Sequence, residues 1–356
     1  MDRDNKSISQ EKHLQVRSDI RAQRTALMGF AALWVYYFHI MPVGLFEGTP
    51  LAEFEWFIHR IGFCGVDIFM FLSAYGLYHR FRRSPVKTAG DYLRYMGKRL
   101  LRIYPVIIPV ALLIALVDNL PLRSLLERLT FYDSFAISIY KFLWFVPCIL
   151  VLYLLAPFYH RLFELSAENH RKNGTGFITP QILTAIMILC VCVTGFLLRG
   201  ILRPDLYALV NRIPVFVMGF YFGSLGEVEV KSWKPLLILT VGNLLAYAFN
   251  REFIPDIVPS TNALVHCLIA PPLVIFLSRL FCVCRRKGVP GVFSFFGVIS
   301  LEFYALQEWV WGKVDRLGIN AGRKQVLCFL VVVIGAYGLK GIREHCRGKK
   351  SRAVVE

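Results

Sequence analysis

Residues 62–79 read GFCGVDIFMFLSAYGLYH. The run is continuously apolar around one carboxylate, Asp67. It does not alternate apolar and polar residues, so it is not the strand of a membrane barrel. Together with Ile61 it is long enough for a helix across a bilayer, which takes about 20 residues. Gly62 and Gly65 allow a neighbouring helix to come close, and Ser73 and Ala74 are small packing residues. Asp67, six positions past Ile61, lies near the outer headgroups or within the span. A carboxylate there needs a partner, and His39 and His59 are available. An Asp–His pair would orient the imidazole and raise its basicity. The alternative is an ion pair that only fixes helices.

Runs of the same kind recur along the 356 residues, at about 26–45, 61–79, 100–118, 141–159, 179–198, 210–224, 234–249, 262–281, 292–311 and 325–342. The expectation is an all-α integral membrane protein, a bundle of about ten transmembrane helices. The sixth and seventh runs are short for a span. Composition agrees: 56% of residues are hydrophobic and 18% charged, against about a quarter charged in a soluble chain. The division expected is a tail over residues 1–24, a membrane domain over 25–342 and a basic tail over 343–356. Residues 1–24 are polar and show no cleavable signal pattern.

Lys and Arg number 41 against 24 Asp and Glu. With ten spans the basic clusters fall on one side: Arg17, Arg21 and Arg24; Arg80 to Arg102; Arg161 to Lys172; Arg285 to Lys287; and the tail from Lys340. Glu47, Glu53 and Glu55 fall on the other, and Lys313, Arg316, Arg323 and Lys324 depart from the pattern. Positive-inside sorting then puts both termini in the cytoplasm, with the protein in the plasma or inner membrane. The excess charge is thereby accounted for without nucleic acid. The nine cysteines read as small hydrophobes, and no metal set is indicated.

Several polar residues interrupt these runs. His39 ends LMGFAALWVYYFH, where it is a candidate general base or an interfacial histidine beside Tyr36, Tyr37 and Phe38. Arg24 precedes it by 15 residues, roughly 22 Å of helical rise. A cytosolic ligand meeting both needs a long, thin arm. Arg99 and Arg102 share a helical face in YLRYMGKRLLRIYPVIIP, with Pro105 read as early in the third span. They suit phosphate, or merely anchor the chain to anionic lipid. Arg212 opens the sixth span with Pro214 in its first turn, facing a wet cavity or snorkelling. Trp144 reads as an interface anchor at the fourth span. Glu302 falls mid-run beside Tyr304, with Gln307 and Glu308 beyond, and His266 is a weaker candidate of the same kind. Pro271 and Pro272 interrupt the eighth run. There is no P-loop, no dinucleotide fingerprint and no nucleophile elbow around Ser73.

In order and spacing these segments resemble membrane acyltransferase family 3, over about residues 24–342. LMGFAALWVYYFH is similar to the family's first span, which ends in its essential histidine, here His39. GFCGVDIFMFLSAYGLY is similar to G-x-x-G-V-D-x-F-F-x-x-S-G, keeping Gly65, Val66, Asp67, Phe69 and Ser73. YMGKRLLRIYP resembles R-R-L-x-R-I-x-P, RIPVFVMGFYFG resembles R-x-P-x-F-x-x-G, and GVISLEFYALQ resembles G-x-I-S-x-E-I-Y-L-x-H. Met28 stands where the family has a basic residue, Ile149 where many members have Glu, Gln307 where it has His, and Ala74 where it has Gly. These departures leave open a changed donor or acceptor, or lost activity.

The resemblance implies transfer of an acyl group, acetyl first, from cytosolic acetyl-CoA to a hydroxyl of an envelope saccharide or glycan. Acetyl-CoA would be a donor substrate rather than a tightly bound cofactor. Arg24, Arg99 and Arg102 would hold its phosphates. His39 would act as base or carry the acyl group, and Asp67 would orient it. Ser73, Trp144, Arg212, Glu302 and Tyr304 would serve substrate binding or structure. Two other readings fit a polar-lined bundle: an exporter of small amphiphiles or glycans, and a catalytically silent scaffold. Membrane lipid is the expected surrounding, and oligomeric state is open.

Overall fold

The computed structural model of the protein describes residues 14–39, 44, 46–138, 143–173, 179–198, 201–225, 229–230, 233–253 and 259–352. It is helical throughout, apart from a two-residue antiparallel pairing of Leu14–Gln15 with Glu229–Val230. The first half holds α1 (Val16–His39), α2 (Leu51–Arg60), α3 (Cys64–Arg83), α4 (Ala89–Val117), α5 (Leu122–Leu129), α6 (Tyr132–Ala136) and α7 (Phe145–Asn173). The second half holds α8 (Pro180–Leu197), α9 (Tyr207–Val210), α10 (Ile213–Ser224), α11 (Trp233–Phe253), α12 (Pro259–Val283), α13 (Val289–Val298), α14 (Ser300–Val314) and α15 (Ala321–Arg352).

Among the described residues, five helices are long and apolar enough to cross a membrane: α4, α7, α8, α12 and α15. Two bent pairs raise the number to seven: α2 with α3, at 44°, and α13 with α14, at 73°. By length and composition, five to seven of the ten runs read from the sequence thus qualify as spans among the described residues. The difference lies in the first, sixth and seventh runs. The first nine residues of α1 include Arg17, Asp19, Arg21 and Arg24, α10 has only 12 residues, and α11 contains Lys234, Asn243, Asn250 and Arg251. The outer faces are apolar. Leu116 on α4, Leu189 and Leu197 on α8 and Ile334 on α15 are all exposed, as helices surrounded by lipid require.

Local chemistry sets the helix ends. Thr88 accepts from the Asp91 N–H, and the Asp91 carboxylate accepts from the Thr88 N–H. This reciprocal cap starts α4 at Ala89, ahead of the basic segment. Pro105 is therefore inside α4 and not near its start, which corrects the sequence reading. Pro271 and Pro272 likewise lie within a continuous α12. A proline lacks an N–H, so the carbonyl four residues earlier loses its partner. For Pro272 that carbonyl belongs to Leu268, and the Asn243 amide donates to it at 3.1 Å. The ninth run breaks at Ile299, between α13 and α14.

The core lies where α1 packs against α3, α12, α13 and α14, and where α3 packs against α10. At the crossing of α1 and α13 the backbones touch. A Cβ on Gly29 would lie 1.7 Å from the Phe293 carbonyl oxygen, and one on Gly297 would lie 1.9 Å from that of Thr25. Gly65 approaches the Ala31 carbonyl in the same way, as expected from the small residues of that stretch. Ala74 sits where Gly219 makes room for it on α10.

Candidate active site

A cavity of about 380 Å³ runs through the bundle beside α1. One end is lined by seven arginines: Arg17, Arg21 and Arg24 from α1, Arg80 and Arg83 from α3, and Arg99 and Arg102 from α4. α1 leaves this end and α3 returns to it, which is why the start of one and the finish of the other converge. The wall then turns apolar, with Met28, Ile103, Val146 and Ile149, relieved by Ser73. Val35, Val66, Phe69, Phe145 and Tyr304 line the part nearest the end of α1. Val35 is one helical turn, about 6 Å, short of His39. Arg24, Arg99, Arg102, Ser73 and Tyr304 are thus brought to one cavity. So are Met28 and Ile149, two positions where the sequence departs from the family pattern.

The basic end is braced by aromatic rings. The Arg99 guanidinium lies 5.5 Å from the centre of Tyr95 and 5.4 Å from that of Tyr153. Arg80 lies 5.2 Å over Tyr95. Such stacking holds the planar fork and leaves its N–H groups for an anion. The ring positions follow from Pro157 in α7, which deprives the Tyr153 carbonyl of its helical partner. The Tyr95 hydroxyl donates to that carbonyl at 3.0 Å, and the Tyr92 hydroxyl donates to Leu154 at 3.1 Å. Without Pro157 the Tyr153 carbonyl would have kept its helical partner and needed no tyrosine from α4.

At the far end, α14 brackets the His39 ring. The Gln307 amide nitrogen lies 2.9 Å from Nδ1, and a Glu308 carboxylate oxygen lies 3.3 Å from Nε2. An amide N–H at Nδ1 makes that atom an acceptor. The ring proton is then on Nε2, facing Glu308. Tyr304, Gln307 and Glu308 are three and four residues apart and share one face of α14. The carboxylate beside His39 is therefore Glu308 and not Asp67.

Asp67 is fully buried and held elsewhere. One oxygen accepts from His266 Nδ1 at 2.7 Å, and the other pairs with Arg212 Nε at 2.9 Å. A second Arg212 nitrogen lies 3.0 Å from His266 Nε2. Arginine only donates, so Nε2 accepts and Nδ1 carries the ring proton toward the carboxylate. The three groups close a buried triangle joining α3, the start of α10 and α12. Phe63 and Trp144 pack on the Arg212 guanidinium at 6.0 and 5.8 Å from their ring centres. The Asp67–His39 pairing expected from the sequence is not formed. Trp144, read from the sequence as an interface anchor, forms a wall for Arg212.

Glu302 is also buried, and it too serves the fold. It lies in the first turn of α14, where a carboxylate faces the positive end of the helix. Arg343 of α15 pairs with it at 2.6 Å and also donates to the Val298 carbonyl, at the end of α13, at 3.1 Å. One guanidinium thus pins both sides of the break in the ninth run. Arg343 stands at the expected start of the basic tail, and α15 runs unbroken through it. The sequence reading passed over Glu308 as a partner for His39, although its spacing from Tyr304 on a helix signals a shared face. It also passed over Tyr95 and Tyr153. Pro157, four residues after Tyr153, is the signal that would have found them. Among the described residues no group of three metal-ligating side chains gathers.

Residues 26–340 match the family model of an acyltransferase domain. A protein of Acidianus two-tailed virus, provisionally named acetyltransferase ORF330, is 25% identical over 328 residues, covering 86% of this chain and 88% of its own. No solved structure matches the chain.

Proposed function

The chain belongs to this acyltransferase family, and from that premise we propose that it is a membrane O-acyltransferase using cytosolic acetyl-CoA. The acceptor is a hydroxyl of an envelope saccharide or glycan at the opposite face of the plasma or inner membrane. One observation carries the reading: a single cavity leads from seven arginines to within a turn of His39. The arginines match the phosphates of a nucleotide thioester, each charged hydrogen bond contributing roughly 1.5–3 kcal/mol. The apolar mid-section matches a thin pantetheine arm. Arg24 to His39 spans roughly 22 Å of helix, so the thioester arrives near the imidazole while the phosphates stay at the mouth. In this reading α1, α10 and α11 also cross, giving ten spans with both termini and the arginines on the cytosolic side. The name of the viral relative agrees with an acetyl donor, and the family match favours transfer over export or a silent scaffold.

In the reaction the acceptor hydroxyl takes the place of Gln307 at Nδ1 of His39. The imidazole removes its proton as the oxygen attacks the thioester carbon. Glu308, on Nε2, holds the ring and stabilises the imidazolium. Collapse of the tetrahedral species breaks the C–S bond. The electron pair leaves on sulfur, and the imidazolium returns the proton to give free thiol and ester. Asp67 acts at a distance, by fixing α3 against α10 and α12. The test uses purified protein in lipid nanodiscs, acetyl-labelled acetyl-CoA and an extracted envelope fraction. Label should move into the extract with wild type, and His39→Ala should lower the rate by about 10²–10⁴-fold. Full transfer by His39→Ala would remove the base from the mechanism.

A further inference from the structure

A tetrahedral intermediate needs a donor aimed at its oxyanion, and no residue has yet been given that task. We propose that the Tyr304 hydroxyl is this donor, an assignment that rests on the acyl-transfer reading above. Tyr304 is 8% exposed and lines the inner end of the cavity. Its hydroxyl oxygen accepts the Phe145 backbone N–H at 3.2 Å. That contact occupies a lone pair and leaves the phenolic proton unused, since among the described residues Tyr304 donates to no acceptor. Accepting one hydrogen bond also polarises the O–H and makes it a stronger donor. The ring is held edge-on to Phe145, with centres 5.8 Å apart, and Phe145 in turn packs on Phe69. The donor is thus fixed before any ligand arrives.

Position agrees with the task. Tyr304 lies one helical turn before Gln307 and Glu308, the two residues that hold His39. The base and the hydroxyl donor are therefore on neighbouring helices about one turn apart, with Tyr304 on the cavity wall. Attack forms the C–O bond, and the carbonyl π pair moves onto oxygen. The Tyr304 O–H stabilises that charge by hydrogen bonding and keeps its proton. Re-forming the C=O bond expels the thiolate.

The test compares wild type with Tyr304→Phe in nanodiscs, following thiol release from acetyl-CoA with the envelope extract as acceptor source. Binding of CoA alone is measured in parallel. The expected result is a fall in kcat of about 10²–10³-fold, with CoA affinity and the KM for acetyl-CoA unchanged. Fluorotyrosine at position 304, which keeps both the hydroxyl and its bond to Phe145, should restore turnover. A Tyr304→Phe variant with wild-type kcat overturns the assignment. So does one whose loss lies in KM or CoA affinity, since that marks a packing role. Failure of wild type itself to release thiol overturns the acyl-transfer reading, and this assignment with it.

Discussion

Changing Asp67 to Asn preserves its shape but leaves the buried Arg212 guanidinium without a counter-charge. Breaking a buried pair in this way costs about 3–5 kcal/mol, much of it the burial of the orphaned ion. Asp67→Asn should therefore melt well below wild type in detergent, as read by size-exclusion chromatography after heating. The double change Asp67→Leu with Arg212→Met removes both charges and should recover most of the loss. No recovery would mean that the triangle's value lies in its hydrogen-bond geometry. The identities of His39, Asp67 and the arginines were legible in the sequence because an ionisable group in an apolar run is conspicuous. Their pairings were not. His266 is 199 residues from Asp67 and Gln307 is 268 from His39, and which partners meet depends on how helices pack, not on local spacing.

Helices meet without side chains between them where α1 crosses α13. A Cβ on Gly29 would fall 1.7 Å from a backbone oxygen, and no rotamer relieves that. Gly29→Ala should force the two helices apart, costing about 1–3 kcal/mol or more, and should erode the monodisperse peak of the purified protein. Gly291→Ala, in the same α13, has nothing within 4 Å of the added carbon and should be tolerated. Equal behaviour of the two variants would show that the crossing is looser than described. At this scale the sequence was informative about where apolar helices lie but less so about their continuity. Pro271 and Pro272 suggested an interruption that Asn243 repairs from α11. The ninth run gave no hint of its break, because the guanidinium that stabilises it comes from α15. The start of α4 could have been read directly, since Thr88 and Asp91 stand at capping-box spacing.

Across the whole molecule, charge and shape are graded from one end of the cavity to the other. Arg99→Ala with Arg102→Ala should raise the KM for acetyl-CoA by about 10- to 100-fold, from one or two lost charge-assisted bonds, with kcat nearly unchanged. Added salt should weaken wild-type donor binding more steeply than that of the variant. An unchanged KM would take both residues out of the donor site. Ten apolar runs were visible in the sequence, but length and composition alone qualify five to seven of the helices among the described residues. Of the remainder, α1 carries its charge where it lines the arginine-rich end of the cavity, α10 is short, and α11 carries polar and charged residues near its ends. The Asp67 triangle also has a consequence in time. At about 5–20 residues per second, the ribosome completes the 199 residues between Asp67 and His266 in about 10–40 seconds. For most of that interval the α3 carboxylate has neither partner, because Arg212 precedes His266 by only 54 residues, so the triangle cannot close until the second half of the chain has been made.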